Sequence, residues 1–134
     1  MRSRYLFLFL ALALELGALN RTATAAEQNP TKPNQFVYVL HLVPRLHDDK
    51  NWTKEDNMAL SRHFVRFQHA IETGELILAG RTIEPGDKTF GIAIFQAADE
   101  TAARSFMESD PAVVAGLMTA ELHPFKIALQ SKNP

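Results

Sequence analysis

The sequence contains no cysteine. That removes disulfides, thiol nucleophiles, thiolate metal ligands and a lipid-modified N-terminal cysteine together. It has no basic run either. The 14 Lys and Arg against 15 Asp and Glu give a formal net charge of −1, with no interleaving of aromatic and basic residues. Nucleic acid is therefore not an expected partner. Glycine is sparse, six in 134 residues, and none are grouped into a phosphate-cradling loop. The five histidines (His41, His47, His63, His69 and His123) show no HxH or HxxxH spacing, so no local metal motif exists. Neither a metal nor an organic cofactor is expected.

A membrane-length apolar run is also missing. The run from Tyr5 to Leu14 covers ten residues, against the roughly 20 needed to cross a bilayer, and Glu15 closes it. Arg2 and Arg4 precede it, and Ala23-Thr24-Ala25 offers small residues at both positions a signal peptidase reads. Residues 1–26 thus have the pattern of a secretory signal peptide rather than of a membrane anchor. Arg2 and Arg4 are not adjacent, which gives no support to a twin-arginine route. The expected location is periplasmic or secreted, with no membrane association after cleavage. Removing residues 1–26 leaves 11 basic against 14 acidic side chains. With no disulfide to help it, the mature chain must be held by its core or by a partner subunit.

What is present is an ordinary globular composition, 46% hydrophobic and 22% charged, enough for one domain. Residues 27–35 are polar, carry two prolines and read as a linker. Phe36 to Val43 is β-branched and aromatic, and Pro44 stops it. One face of this strand carries Phe36, Tyr38, Leu40 and Leu42; the other carries Val37, Val39, His41 and Val43. Both are mainly apolar, so both are expected to be covered. From Lys54 to Thr73 the period is helical, with Thr53 as N-cap for the amide of Asp56. That use of Thr53 outweighs the short glycosylation sequon Asn51-Trp52-Thr53. Leu60, Phe64, Phe67 and Ile71 form the expected apolar stripe, and Gly74 ends the helix.

Leu76 to Glu84 and Thr89 to Gln96 form two strands of a hairpin about the Pro85-Gly86-Asp87 turn. Gly80 within the first marks a bulge or a close approach. Asp99 caps a helix over Glu100 to Glu108, and Asp110-Pro111 opens a short segment closed by Gly116. Alternation within Met118 to Leu129 gives the last strand, and residues 131–134 are a tail. The order β-α-β-β-α-β is a ferredoxin-like α+β plan, with helices on one face of an antiparallel sheet. An apolar second face marks an interface. A homodimer stacked sheet to sheet around a barrel-like interior is expected.

His63 is the first candidate for chemistry. It lies three residues after Leu60 and four before Phe67, on the shoulder of the buried stripe. Imidazole titrates near neutrality and can take and return a proton. Asp110 is a candidate partner, with helix capping as its competing duty. His41 is either a satisfied buried histidine or a pocket residue. Gly91 and Ala93 are small and leave room for either a cavity or a closely packed helix. Arg81 is either a surface arginine on an edge strand or a bidentate anchor for an anionic group.

The span Phe36 to Leu129 resembles the YciI-like (YCII-related) family of dimeric α/β-barrel proteins. The likeness rests on His63, on Gly74-Glu75-Leu76 followed by Ala79-Gly80, and on Gly91-Ile92. It rests also on Asp110-Pro111 before Ala115-Gly116, and on His123-Pro124-Phe125. At Arg81 the sequence departs from the pattern, since many members carry proline there. The resemblance implies a dimeric ferredoxin-like barrel over residues 36–130 and a His–Asp site at His63 and Asp110. Related barrels include muconolactone isomerase-like and dehydrochlorinase-like enzymes, which move protons on small rings without metal or cofactor. A cofactor-free isomerase or lyase acting on a small, aromatic-derived molecule is one expectation. A small-ligand-binding protein without chemistry and a purely structural dimer are the alternatives.

Overall fold

A computed structural model describes residues 34–131. The signal-peptide pattern, most of the linker and the last three tail residues lie outside the described residues. Strand β1 runs Asn34–Leu42, two residues earlier than its sequence pattern indicated. Two short 3-10 turns lead into helix α1, Lys54–Glu72. Strands β2 (Leu76–Arg81) and β3 (Phe90–Ala97) follow, then helix α2 (Glu100–Glu108), the one-turn helix α3 (Pro111–Val114) and strand β4, Met118–Phe125. The sheet order is β2-β3-β1-β4 and every pairing is antiparallel. This is the ferredoxin-like α+β arrangement.

Local chemistry sets each boundary. The Thr53 hydroxyl accepts from the Asp56 amide, and the Asp56 carboxylate accepts from the Thr53 amide, a reciprocal capping box. Arg45 adds a two-armed salt bridge to Asp56 at 2.7 and 2.8 Å, which holds that carboxyl well below its usual range, the arginine bond being the main cause. Gly74 ends α1 with φ of 79°, a left-handed conformation that favours glycine. Asp99 accepts from the Ala102 amide and starts α2.

Side chains alternate across the sheet with the pleat. Phe36, Tyr38 and Leu40 of β1 point to the helices, with Ala93 and Phe95 of β3. They pack with Phe67 and Ala70 of α1 and with Ala103, Phe106 and Met107 of α2. Tyr38 and Phe95 are fully buried, their rings edge to face with centroids 5.6 Å apart. A smaller cluster of Leu46, Ala59, Ala112 and Leu117 closes the other end beneath the 3-10 turns.

Two expectations change here. Beyond the capping Asp56, the buried positions of α1 are Ala59, His63, Phe67 and Ala70, whereas Phe64 and Ile71 are half exposed. The helix is turned so that its small residues meet the core and two large ones border a cavity. The irregular pairing of β2 falls between Leu76 and Leu78, and a side chain at Gly80 would meet nothing within 4 Å. The helices cover one sheet face, as the β-α-β-β-α-β order indicated. On the other face, Val37, Val39, Ile92 and Ile94 are partly buried, and Leu78 is 47% exposed. Among the described residues, no helix is long and apolar enough to cross a membrane.

Candidate functional site

Asp110 stands at the centre of the site. It is the N-cap of α3, with Pro111 at the first helical position, and its Oδ1 accepts from the Ala112 amide at 2.9 Å. The same carboxylate meets His63 of α1, 47 residues earlier, at 2.7 Å from Oδ1 and 2.9 Å from Oδ2 to Nδ1. Tyr38 of β1 donates its hydroxyl to Oδ2 at 2.8 Å. Capping and pairing with histidine, which the sequence left as competing duties, are performed together.

The environment fixes the charge states. Asp110 has no solvent exposure. Burial is the largest influence on its carboxyl and pushes it up. The His63 bond and charge, the Ala112 amide and the Tyr38 hydroxyl together outweigh that and hold it below the usual carboxylate range. Tyr38 is pushed far above the ordinary phenol value, by burial first and then by the adjacent Asp110 charge and hydrogen bond. Tyr38 is thus a permanent donor and Asp110 an ionised acceptor.

An ionised carboxylate accepts only, so Nδ1 of His63 carries the proton. In the neutral ring the electron pair is then on Nε2. Among the described residues Nε2 makes no hydrogen bond, yet it is not among the sealed, unsatisfied atoms. The small remaining exposure of the ring, 4% of the residue, serves that side. Phe67 at 4.2 Å and Phe64 at 5.3 Å between centroids brace the imidazole.

His63 lines a cavity of about 900 Å³ between α1 and the β2 end of the sheet. Leu40, Phe67 and Met118 floor it, Phe64 and Ile71 border it from α1, and Gly91 and Arg81 belong to its strand wall. The cavity is therefore between helix and sheet, on the helix-covered side, and not an inter-sheet space. The two small residues of β3 divide their roles. Gly91 lines the cavity, whereas Ala93 is sealed in the core beneath the helices. Arg81 stands on the edge strand, exposed, and also on the cavity lining.

His41 is not brought to this site. Its neighbour Leu40 faces the helices, so the pleat turns His41 to the bare side, where it is exposed beside Phe90. In the single chain it is exposed, and it is not part of the lining of this cavity. Two site residues had gone unnoticed. Tyr38 is a hydroxyl within an apolar strand face, and such a group needs a buried partner. Arg66 lies off the apolar stripe of α1, yet its Nη1 lies 3.9 Å from Asp110 Oδ2. Among the described residues, no group of three or more His, Asp or Glu side chains could hold a metal ion.

No curated protein matches the chain. The family model of the YCII-related domain does match, over residues 40–126, a span that includes both His63 and Asp110. That is well over half the chain, and the protein belongs to the YCII-related family.

Proposed function

We propose that this YCII-related protein is an exported, cofactor-free enzyme in which His63 moves a proton on a small, aromatic-derived molecule. The observation that carries this reading is the buried Asp110 carboxylate on Nδ1, with Nε2 left for the cavity. A base held by a carboxylate is oriented before substrate arrives, and the imidazolium that forms is stabilised by the same contact. In an isomerisation, Nε2 takes a proton from one carbon of the substrate and returns it to another. In an elimination, Nε2 takes the proton while the leaving group departs with its bonding electrons, and solvent then recovers the proton from the ring. Either reaction is complete without an oxidant or a second substrate.

The cavity supports a small, largely apolar substrate. Arg81 is positioned to hold an anionic group of it, and Gly91 leaves room for its body. The bare sheet face supports a homodimer stacked face to face. The signal-peptide pattern supports a periplasmic or secreted location.

The test is proton exchange. Unsaturated lactones and halogenated cyclic acids are incubated with the protein in D2O, and deuterium incorporation or halide release is followed by NMR. Loss of a general base costs on the order of 10²–10⁴ in rate, so His63→Gln should reduce the reaction by at least 100-fold with the fold intact. Equal rates in the wild type and His63→Gln would remove His63 from the chemistry. A molecule that binds and is recovered unlabelled and unchanged would favour a binding protein instead.

A further inference from the structure

Arg66 has contacts that the proposed chemistry does not use. Its guanidinium lies over the Phe106 ring, 4.2 Å from the centroid. Nη2 donates to the Phe106 carbonyl at 2.6 Å and to the Ser109 hydroxyl at 3.0 Å, at the end of α2. Nη1 is sealed from solvent without a hydrogen-bond partner among the described residues, 3.9 Å from Asp110 Oδ2. Arg66 follows His63 by three residues, so both reach the same carboxylate from one side of α1.

We propose that Arg66 is a positioning residue for the His63–Asp110 pair, supplying the counter-charge that keeps His63 neutral and Nε2 available as a base. This rests on the reading of His63 as the base. A buried carboxylate against an imidazole tends to draw a second proton onto the ring. The result would be a standing ion pair with Nε2 occupied and no base. With a fixed cation beside it the carboxylate is already balanced, and a second positive charge on His63 is disfavoured. The 3.9 Å gap suits this role. It is too long for a hydrogen bond, so Arg66 acts on Asp110 by charge and leaves the oxygens to His63, Tyr38 and the Ala112 amide. The aromatic stack and the two Nη2 bonds hold it at that distance. Arginine suits the position because its planar guanidinium stacks on Phe106 while Nη2 bonds the Phe106 carbonyl and Ser109.

The other titratable groups around His63 are Tyr38 from β1 and, on the cavity lining, Glu72 and Arg81. Tyr38 stays protonated. Glu72 and Arg81 are exposed and carry opposite signs, so solvent screens them more than the sealed Arg66–Asp110 contact.

The test follows the ring signals of His63 by NMR in histidine-labelled protein across pH, without substrate. It therefore reads protonation whether or not the proton-transfer reading holds. Arg66→Gln should raise the titration midpoint by about one pH unit, a tenfold gain in the protonated ring at a given pH, as expected for removal of a close charge. Arg66→Lys should stay near the wild type. A folded Arg66→Gln with an unmoved midpoint overturns the proposal. So does Arg66→Lys moving as far as Arg66→Gln, which would leave Arg66 only a mechanical role. Should Arg66→Gln fail to fold, Ser109→Asp at the exposed Nη2 contact neutralises the guanidinium in place. It should raise the midpoint in the same direction, and an unchanged midpoint there overturns the proposal equally.

Discussion

The two faces of the sheet have similar apolar composition and opposite fates. On one, Phe36, Tyr38 and Leu40 meet α1 and α2 and are sealed, and Tyr38 there bonds Asp110, a carboxylate with no exposure. On the other, Val37, Val39, Ile92 and Ile94 have no helix over them, and His41 stands at the margin. Hydrophobicity alone therefore does not say which face becomes a site. The difference is made by the connections. Both crossovers, β1-α1-β2 and β3-α2-β4, place their helices on the same side. Polar groups from three elements can then converge on Asp110 away from water, while the valines and isoleucines of the second face have no helix over them.

This contrast is sharpest in stability. Phe95→Ala on the covered face should cost about 3–5 kcal/mol, and Val39→Ala on the bare face about 1 kcal/mol or less. Urea unfolding of both variants at one protein concentration checks this, and equal losses would mean that the faces are equally buried.

Next in size is the response to acid. The Asp110 and Asp56 carboxyls are both held below their ordinary values in the folded chain. The unfolded chain then binds protons at higher pH than the folded one. Their contribution is complete above roughly pH 4, the unfolded carboxylate value, and is lost as pH falls below it. Asp110→Asn should flatten the pH dependence of unfolding between about pH 4 and pH 2, while a bare-face variant such as Val39→Ala should leave the slope alone. An unchanged slope in Asp110→Asn would place the acid response elsewhere.

The smallest effect on the single chain is expected on the bare face. Ile94→Lys should cost the folded monomer about 1 kcal/mol or less, yet shift the mass measured by sedimentation from two chains to one. A wild type that sediments as one chain at every concentration would remove the stacked dimer.

Most of the fold was legible because its signals are local. Thr53, Asp99 and Gly74 mark helix ends by chemistry complete within four residues, whereas β2 ends at Arg81, three residues before its expected end, and residues 82–89 with a 3-10 turn at Gly86–Lys88 lead to β3. His63 was legible as a residue on the shoulder of a buried stripe. Its pairing with Asp110 was expected from the family resemblance and not from any local signal, because the bond spans 47 residues and depends on how α1 and the start of α3 pack. The local pattern of Asp110-Pro111 announces the cap, and the capping carboxylate is shared with His63. Arg66 looked like any solvated charge, since its stack on Phe106 needs α2 in place. His41 lies on the face that the crossovers leave without a helix, a placement that the strand's own apolar pattern does not reveal.

The double duty of Asp110 constrains how the sequence can drift. A substitution that frees His63 from its partner also takes the cap from α3, strands the Tyr38 hydroxyl and unseats a fully enclosed position. Selection for folding alone will therefore keep the His–Asp pair long after any use for it has lapsed. Descendants of this chain should lose cavity-wall residues such as Arg81 first and retain Asp110 last. The presence of the pair in a relative is thus weaker testimony to activity than the walls that surround it.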